Sequence, residues 1–353
     1  MPLPSINIVF KTQGVTAIQR SEKGTVAIIL RDAKEQGAHI LTNTTEIPAE
    51  LGAVNRAYVV QAFLGYVNPP RKVLLYVIGE AEDIETALEH FATQQFDYLV
   101  GPPDLDVAEA QTIASWVKSE RQENHMVKAV LPNTAADYEG VINFTAEDIR
   151  VGESVYTAAG YCARIAGLIA GTPMTISCTY APLPEVTSVK RLSTSQLDDA
   201  IDAGEFVLFH DGEKVKVARA VNSLVTTTQG KGKEYQKIKI VEAMDLIFND
   251  IRKTAQDSYI GKYANSYDNK CLLIMAIKGY LEELERVGIL ERGYSTVGID
   301  LAAQETYLKQ QGTDTSNMTE QQIKQANTGS KVFLTASIRI LDAIEDIDLI
   351  INI

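Results

Sequence analysis

The first half of the chain alternates short apolar segments with helix-like ones, and this alternation constrains the fold more than any other feature. Residues 25–30 are rich in β-branched side chains, and residues 72–78 are apolar on both faces, as central strands are. The segments 82–94 and 104–123 predict helices, the first with its apolar residues on one side. Strands that alternate with helices predict an α/β layer whose strands are at least partly parallel.

The second half of the chain predicts more helix and one hairpin. Asp211-Gly212 stands between two alternating runs, which is a strong signal for a tight turn between antiparallel strands. Long helices are predicted over residues 233–261 and 269–287. Residues 151–170 are also predicted to be helical, and their many Ala and Gly residues favour tight internal packing. The expected fold class is therefore mixed α/β (α+β), with a body of several layers.

Both ends of the chain have the pattern of short, alternating apolar strands. The C-terminal strand follows an acidic segment that contains Asp342, Glu345, Asp346 and Asp348 and is typical of a solvated linker. An apolar strand at a chain end is an aggregation hazard unless it pairs with something. It either docks in its own domain or adds to a sheet of a neighbouring copy. The apolar residues of the two strands are Ile6, Ile8, Phe10, Ile347, Leu349, Ile351 and Ile353.

The sequence contains no recognisable catalytic, metal or cofactor site. The four histidines and three cysteines have no metal-ligand spacing, and the loop at residues 230–233 lacks the spacing of a phosphate-binding loop. We therefore predict no catalytic residue, no metal and no cofactor. An α/β enzyme is kept as an alternative, and its site would be sought at Asp97, Tyr98, Asp104 and Asp106, next to strand ends.

Charge and hydropathy restrict the partners. A net charge of −13 would be repelled by phosphate backbones, so we expect no nucleic acid partner. The longest apolar runs are about six residues, whereas a bilayer span needs about 20, so we expect no membrane binding. One segment is strongly basic, and it is either a solvated hairpin and loop or a contact surface for an acidic partner. Its cations are Lys214, Lys216, Arg219, Lys231, Lys233, Lys237 and Lys239.

Several segments, taken together and in order, resemble contractile phage tail sheath proteins of Gram-positive myophages, phage-like elements and R-type bacteriocins. They are residues 4–10 with 17–24, then 217–227, 259–270 and 341–349. The most distinctive of them is 259–270, whose family-like residues are Gly261, Lys262, Asn265, Asn269 and Lys270.

The resemblance implies a structural subunit of a contractile tail, without a catalytic site. Sheaths of this family stack as six-fold rings around an inner tube and contract to drive that tube through a cell envelope. The expected partners are other copies of the chain, the tail tube protein, and the baseplate and tail terminator proteins. The basic segment would then contact the tube or the acidic arm of a neighbour. Another self-assembling protein of the same particle is the alternative.

The resemblance also implies a division of the chain into four parts. These are an N-terminal arm (1–20), an α/β domain (21–190), a helix-rich core domain (191–341) and a C-terminal arm (342–353), and the arms would add strands to neighbouring copies. The protein would belong to the tail of a virion or bacteriocin particle. It would assemble in the host cytoplasm and leave by lysis.

Overall fold

The computed structural model describes residues 17–18 and 23–352. The predicted N-terminal strand with Ile6, Ile8 and Phe10 lies outside the described residues, and so does Ile353.

The chain forms two compact units. We call the described residues 23–246 and 342–352 the sheet unit, and the described residues 17–18 and 247–341 the helical unit. The break between them falls after Leu246, whereas the sequence resemblance implied a domain boundary after residue 190. The last residues of the chain belong to the sheet unit, although the residues that lead into them belong to the helical unit.

The sheet unit is built on one seven-stranded sheet. The strands of the whole sheet unit, including two separate two-stranded sheets, β7–β8 and β10–β11, are β1 Thr25–Arg31, β2 Gly37–Leu41, β3 Lys72–Ile78, β4 Tyr98–Val100, β5 Lys128–Pro132, β6 Val141–Phe144, β7 Ile149–Val151, β8 Ser154–Tyr156, β9 Glu205–Phe206, β10 Leu208–His210 and β11 Val215–Val217. The order in the large sheet is β2-β3-β1-β4-β5-β6-β9, and every neighbouring pair is parallel except β2 with β3. The predicted α/β layer with at least partly parallel strands is therefore confirmed.

Helices cover both faces of this sheet. The helices of the sheet unit are α1 Ala53–Phe63, α2 Glu85–Phe91, α3 Val107–Gln122, α4 Cys162–Ala170, α5 Thr194–Asp202 and α6 Ile238–Thr254, the last of which continues past the boundary of the unit. Alternate residues of β1 enter two different cores, as the period of two along a strand requires. Ile28 belongs to the core that contains α1 and α4, and Ile29 belongs to the core that contains α2 and α3.

Small residues bring α1 and α4 into backbone contact. A Cβ atom on Gly167 would lie only 1.9 Å from the carbonyl oxygen of Ala62, so only glycine fits there. The Ala- and Gly-rich segment therefore serves internal packing, as its sequence predicted.

The prediction of one helix over residues 151–170 was wrong in its first half, however. There Gly152, at a φ of 58°, makes the turn between the antiparallel strands β7 and β8, so the chain cannot be helical.

The predicted hairpin at Asp211-Gly212 is confirmed by the antiparallel pair β10–β11. Gly212 adopts a φ of 107°, and Asp211 Oδ1 accepts hydrogen bonds from the backbone N–H groups of Glu213 and Lys214, both at 2.9 Å. Both observations fit the preference of tight turns for this dipeptide.

The helical unit contains α7 Tyr267–Arg286, α8 Leu301–Gln310, α9 Glu320–Gln325 and a small antiparallel sheet of β12 Thr296–Ile299 with β13 Leu334–Ser337. Within the described residues, β12 and β13 pair only with each other, and a separate isolated bridge joins Leu290 to Ile340. Residues 347–353 were predicted as a final strand, but their described part, residues 347–352, forms no strand in the single chain. No described helix is long and apolar enough to cross a membrane.

Candidate assembly interface

The acidic part of the C-terminal arm, which we call the arm root (residues 342–346), lies against the sheet unit. Asp346 Oδ2 pairs with Arg219 Nη2 at 2.5 Å, and Asp342 pairs with the ammonium group of Lys237. Both cations belong to the predicted basic segment. The acidic segment was interpreted as a solvated linker, and the structure shows instead that it is attached to the body of its own chain.

Glu345 is the best-buried contact of the arm root, with only 8% of its side chain exposed. Its Oε1 atom accepts hydrogen bonds from Ser177 Oγ at 3.0 Å and from Thr179 Oγ1 at 2.5 Å. Its Oε2 atom lies 3.3 Å from Arg219 Nε and 3.8 Å from Lys237 Nζ. We call Ser177, Thr179, Arg219 and Lys237 the root socket. Hydrogen bonds to an ionised carboxylate are stronger than neutral ones, so the socket is suited to hold this side chain.

Backbone N–H groups around residue 179 orient the two hydroxyl groups of the root socket. Thr179 Oγ1 accepts a hydrogen bond from the backbone N–H of Ala220 at 3.0 Å while its own hydroxyl donates to Glu345. Ser177 Oγ accepts from the Thr179 backbone N–H at 3.1 Å in the same way. Each hydroxyl is thus oriented by a backbone donor, and its proton is available for the carboxylate.

The other cations of the basic segment have different surroundings. Lys216 pairs with Asp211, and Lys231 Nζ pairs with Glu139 Oε1 at 2.6 Å. Lys214 and Lys233 are exposed. Lys239 is buried: burial lowers the pKa of its ammonium group, and the carboxylates of the arm root at Asp342 and Glu345 oppose that effect. The basic segment is therefore not one surface, because only part of it faces the arm root.

The apolar end of the arm, which we call the arm tip (residues 347–352), is exposed throughout. The exposed fractions are 80% for Ile347, 75% for Leu349, 85% for Ile350 and 74% for Ile351. Large apolar side chains that lie this open, one after another, mark an interaction site or an aggregation hazard. The arm thus has an attached root and an uncovered tip.

The residues of the family-like motif hold a loop of the helical unit in place. Asn265 Nδ2 donates to the carbonyl oxygens of Gly329 at 2.8 Å and Lys331 at 3.0 Å. Lys270 is buried and donates to Thr328 Oγ1 at 3.2 Å, and burial lowers the pKa of this lysine. Asn269 Nδ2 donates to the carbonyl oxygen of Ala264 at 2.7 Å.

Two further residues of the motif shape the start of that loop. Gly261 adopts a φ of 74°, which favours glycine, and Lys262 donates to the carbonyl oxygen of Asp257. The contacts described for the motif lie within the helical unit and join its loop to the segment that leads into β13.

A buried ionic network on α6 was not found from the sequence. Asp245 accepts hydrogen bonds from Arg121 Nη1 and Nη2 at 2.8 and 2.9 Å and from Lys128 Nζ at 2.9 Å. Burial alone would raise the pKa of Asp245, but the charges of Lys128 and Arg121 outweigh it and lower that pKa. One turn earlier on the helix, Glu242 Oε1 accepts from Tyr98 Oη at 2.5 Å. The network fixes α6 to the strands β4 and β5.

The carboxylates proposed for an enzyme site have structural roles. Asp97 Oδ2 accepts from the backbone N–H groups of Gly24 and Thr25, both at 2.8 Å, and so fixes the start of β1. Asp106 caps α3 by accepting from the Glu109 backbone N–H at 2.9 Å. Asp104 is exposed and lies 3.3 Å from Arg31. Across the described parts of the chain, no group of three or more His, Cys, Asp or Glu residues could hold a metal ion.

Two family models match the chain. The model for the phage tail sheath protein central domain matches residues 79–223, and the model for the phage tail sheath C-terminal domain matches residues 230–353. The chain is 40% identical, over 98% of its own length and 98% of the relative's, to a tail sheath protein of Clostridium phage phiCD119. It is 32% identical to the phage-like element PBSX protein XkdK of Bacillus subtilis, over 46% of this chain and 35% of that protein.

Solved structures share the fold. A sheath tail protein from Desulfitobacterium hafniense matches with a TM-score of 0.68 at 19% identity, over 84% of this chain and 94% of that chain. The helical sheath of the anti-feeding prophage in its contracted state matches with a TM-score of 0.73 at 14% identity, over 100% of this chain and 99% of that chain. The similarity to the second structure therefore extends over the sheet unit, the helical unit and the arm.

Proposed function

The chain belongs to the phage tail sheath family, whose members are structural proteins and not enzymes, and from this premise we propose how it assembles. Copies of the chain form six-membered rings that stack around a tail tube. The stack starts on a baseplate, ends at a terminator protein, and contracts to drive the tube through a cell envelope. The particle is a phage or bacteriocin tail that assembles in the host cytoplasm and is released by lysis.

The exposed arm tip is the observation that carries this proposal. The arm tip is apolar and uncovered, and β12 and β13 have outer edges that no other described strand occupies. Strand addition would satisfy both features, because an edge strand offers unpaired N–H and C=O groups to an incoming strand. The arm tip of one copy therefore adds to the small sheet of another copy. The residues that become buried are Ile347, Leu349, Ile351 and Ile353.

Such arms link copies head to tail, and such contacts continue into rings and helices without closing a dimer. Contraction then needs no chemical fuel. The extended lattice is a trapped state of higher energy, and bistable contacts between the bodies release the difference while the arms keep the copies connected.

Electron microscopy of negatively stained protein tests the proposal. The full-length chain, co-expressed with its tail tube and baseplate proteins, should form rings or striated tubes with six-fold symmetry. Omission of the tube protein serves as the control, because the proposal makes the tube the template for stacking. Featureless particles in the presence of all the partners would refute the assembly. Ordered particles that contain no tube would favour the alternative, another self-assembling protein of the tail.

A further inference from the structure

A cavity of about 370 Å³, which we call the edge cavity, lies at the carboxyl ends of β5, β6 and β9 in the sheet unit. Ligands of open α/β sheets bind outside the carboxyl ends of the strands, and the volume is within the range of small-molecule sites. The described residues that line the edge cavity include none from the arm and none of the cations of the basic segment. Its chemistry is therefore separate from that of the arm.

Asn143 is a buried residue of the edge cavity with an unused acceptor. Only 3% of Asn143 is exposed, yet its Oδ1 atom has no hydrogen-bond partner among the described residues. A buried polar atom without a partner costs free energy, and such atoms are uncommon in folded proteins. Because Asn143 lines the edge cavity, a molecule bound there would be able to donate the missing hydrogen bond.

Two further acceptors lie beside Asn143. The register of the parallel pair β6–β9 aligns Asn143 with Glu205, so their side chains share one face of the sheet. Thr145 Oγ1 donates to Glu205 Oε2 at 2.8 Å, which leaves the lone pairs of this hydroxyl and the second carboxylate oxygen for a ligand. Lys190 also lines the edge cavity, but its ammonium group pairs with Glu147 Oε2 at 2.6 Å. The negative charge of Glu205 is therefore not neutralised by this lysine.

The composition of the lining indicates which ligand would fit. A primary ammonium group has three donors and no acceptor, which matches an amide oxygen, a carboxylate and a hydroxyl. A divalent metal ion fits less well, because Ca²⁺ takes about 6–8 oxygen ligands and Glu147 is already paired with a lysine. Much of the remaining lining is apolar and suits a short hydrocarbon chain. It consists of Ala135, Ala146, Val189, Leu192, Val207 and Leu208.

We propose that the edge cavity binds a small aliphatic amine, whose ammonium group contacts Asn143 Oδ1 and Glu205 and whose hydrocarbon chain lies against Val189. Such a ligand connects β6, the edge strand β9 and the segment that leads into α5. A ligand that binds only the folded state stabilises it, so occupancy strengthens this edge of the sheet. The net charge of −13 favours the approach of a small cation.

Calorimetric titration of the full-length chain with n-butylamine at neutral pH tests the proposal. The amine should bind saturably at one site per chain and raise the midpoint of thermal unfolding. Butanol is the matched control ligand, because it has the same hydrocarbon chain without the ammonium group, and it should not compete with the amine. Absence of saturable binding up to about 10 mM amine would overturn the proposal. Equal binding of butanol, or displacement of the amine by calcium chloride at equal concentration, would overturn it too.

Two substitutions distinguish a ligand site from a purely structural one. Glu205→Gln should weaken amine binding at least tenfold, because it removes a charge-assisted contact. Asn143→Leu should weaken binding as much but raise the unfolding midpoint of the ligand-free chain, because it removes a buried atom that lacks a partner. The exposed Glu213→Gln is the control and should change neither quantity. Amine binding of native strength in Glu205→Gln would overturn the proposal, even if Asn143→Leu fails to fold.

Discussion

Thr179 Oγ1 lies 2.5 Å from Glu345 Oε1, although 166 positions separate the two residues in the sequence. This hydrogen bond attaches the end of the chain to a loop of the sheet unit. Because Glu345 is attached to the sheet unit, the chain is held there, and the exposed arm tip begins two residues later, at Ile347.

Glu345→Gln should release the arm root. The amide keeps the size of the side chain but loses the charge that Arg219 and Lys237 face, and a lost charge-assisted contact costs about 1.5–3 kcal/mol. Cleavage within residues 342–346 by a protease of broad specificity should accelerate, while the sheet unit stays uncleaved. Asp348→Asn is the matched control, because it removes a charge from the same arm outside the root. Equal protection of the root in Glu345→Gln and the native chain would contradict the assigned role.

The basic segment should contribute to assembly in a way that depends on salt. Replacement of Lys231, Lys233 and Lys237 by Gln should weaken tube formation most at low ionic strength, where screening is least. The structure refines this expectation, because Lys237 contacts the arm root whereas Lys233 is exposed. Lys237→Gln alone should therefore reproduce most of the defect, and Lys233→Gln little of it, when tubes are counted in micrographs across a salt series. Unchanged assembly of the triple variant at every salt concentration would refute a role of the segment.

The arm tip should act through one face of a strand. Leu349→Asp places a charge on the face that strand addition would bury, whereas Ile350→Asp places the same charge on the opposite face. The first substitution should abolish sheath tubes, and the second should preserve them. If both variants assemble normally, strand addition by this segment is excluded.

Deletion of residues 347–353 should leave a folded monomer. The described part of the tip is exposed, so its removal takes nothing from a core. Thermal unfolding should stay cooperative with an unchanged midpoint, while tubes disappear. Precipitation or unfolding of the shortened chain would show instead that the segment stabilises its own domain.

Asp245→Asn should strongly destabilise the sheet unit. Arg121 and Lys128 would remain buried without their carboxylate, and removal of one partner from a buried ionic network costs about 3–5 kcal/mol. The pKa of Asp245 is lowered from its usual 3.8, so its contribution is present at neutral pH and is lost as pH falls through the folded-state pKa. The difference in unfolding free energy between variant and native chain should therefore shrink below pH 3.8. The exposed Asp198→Asn should change little at any pH.

Gly167→Ala should be far more costly than Gly279→Ala. The added Cβ at position 167 would meet the Ala62 carbonyl oxygen, so α1 and α4 must separate, at a cost of about 1–3 kcal/mol. Gly279 lies within α7 with nothing within 4 Å of its added Cβ, and alanine there should stabilise the helix by about 0.8–1 kcal/mol. Chemical denaturation of both variants measures the two effects, and their signs should be opposite.

Most strands of the large sheet could be predicted from the sequence because they have their own local signals, whereas β2 was not predicted. Apolar runs such as those of β1 and β3 are buried on both faces, and composition alone reveals this. The error at residues 151–161 arose because Ala and Gly are common both in packed helices and around turns. There the left-handed φ of Gly152 decided the outcome.

The root socket and the ionic network could not be predicted in the same way. Each joins residues more than a hundred positions apart, and charge patterns along the chain do not specify which cation meets which carboxylate. The sequence did suggest that the basic segment meets an acidic arm. It could not show that Arg219 and Lys237 would meet the arm of their own chain.

The arm combines an ionic root with an apolar tip, and the two respond to temperature in different ways. Apolar burial weakens on cooling because its driving force near room temperature is entropic, whereas ion pairs do not share this loss. A sheath held together by such arms would therefore loosen first at its tips in the cold. Storage temperature would then affect the cohesion of the particle without affecting the fold of any subunit.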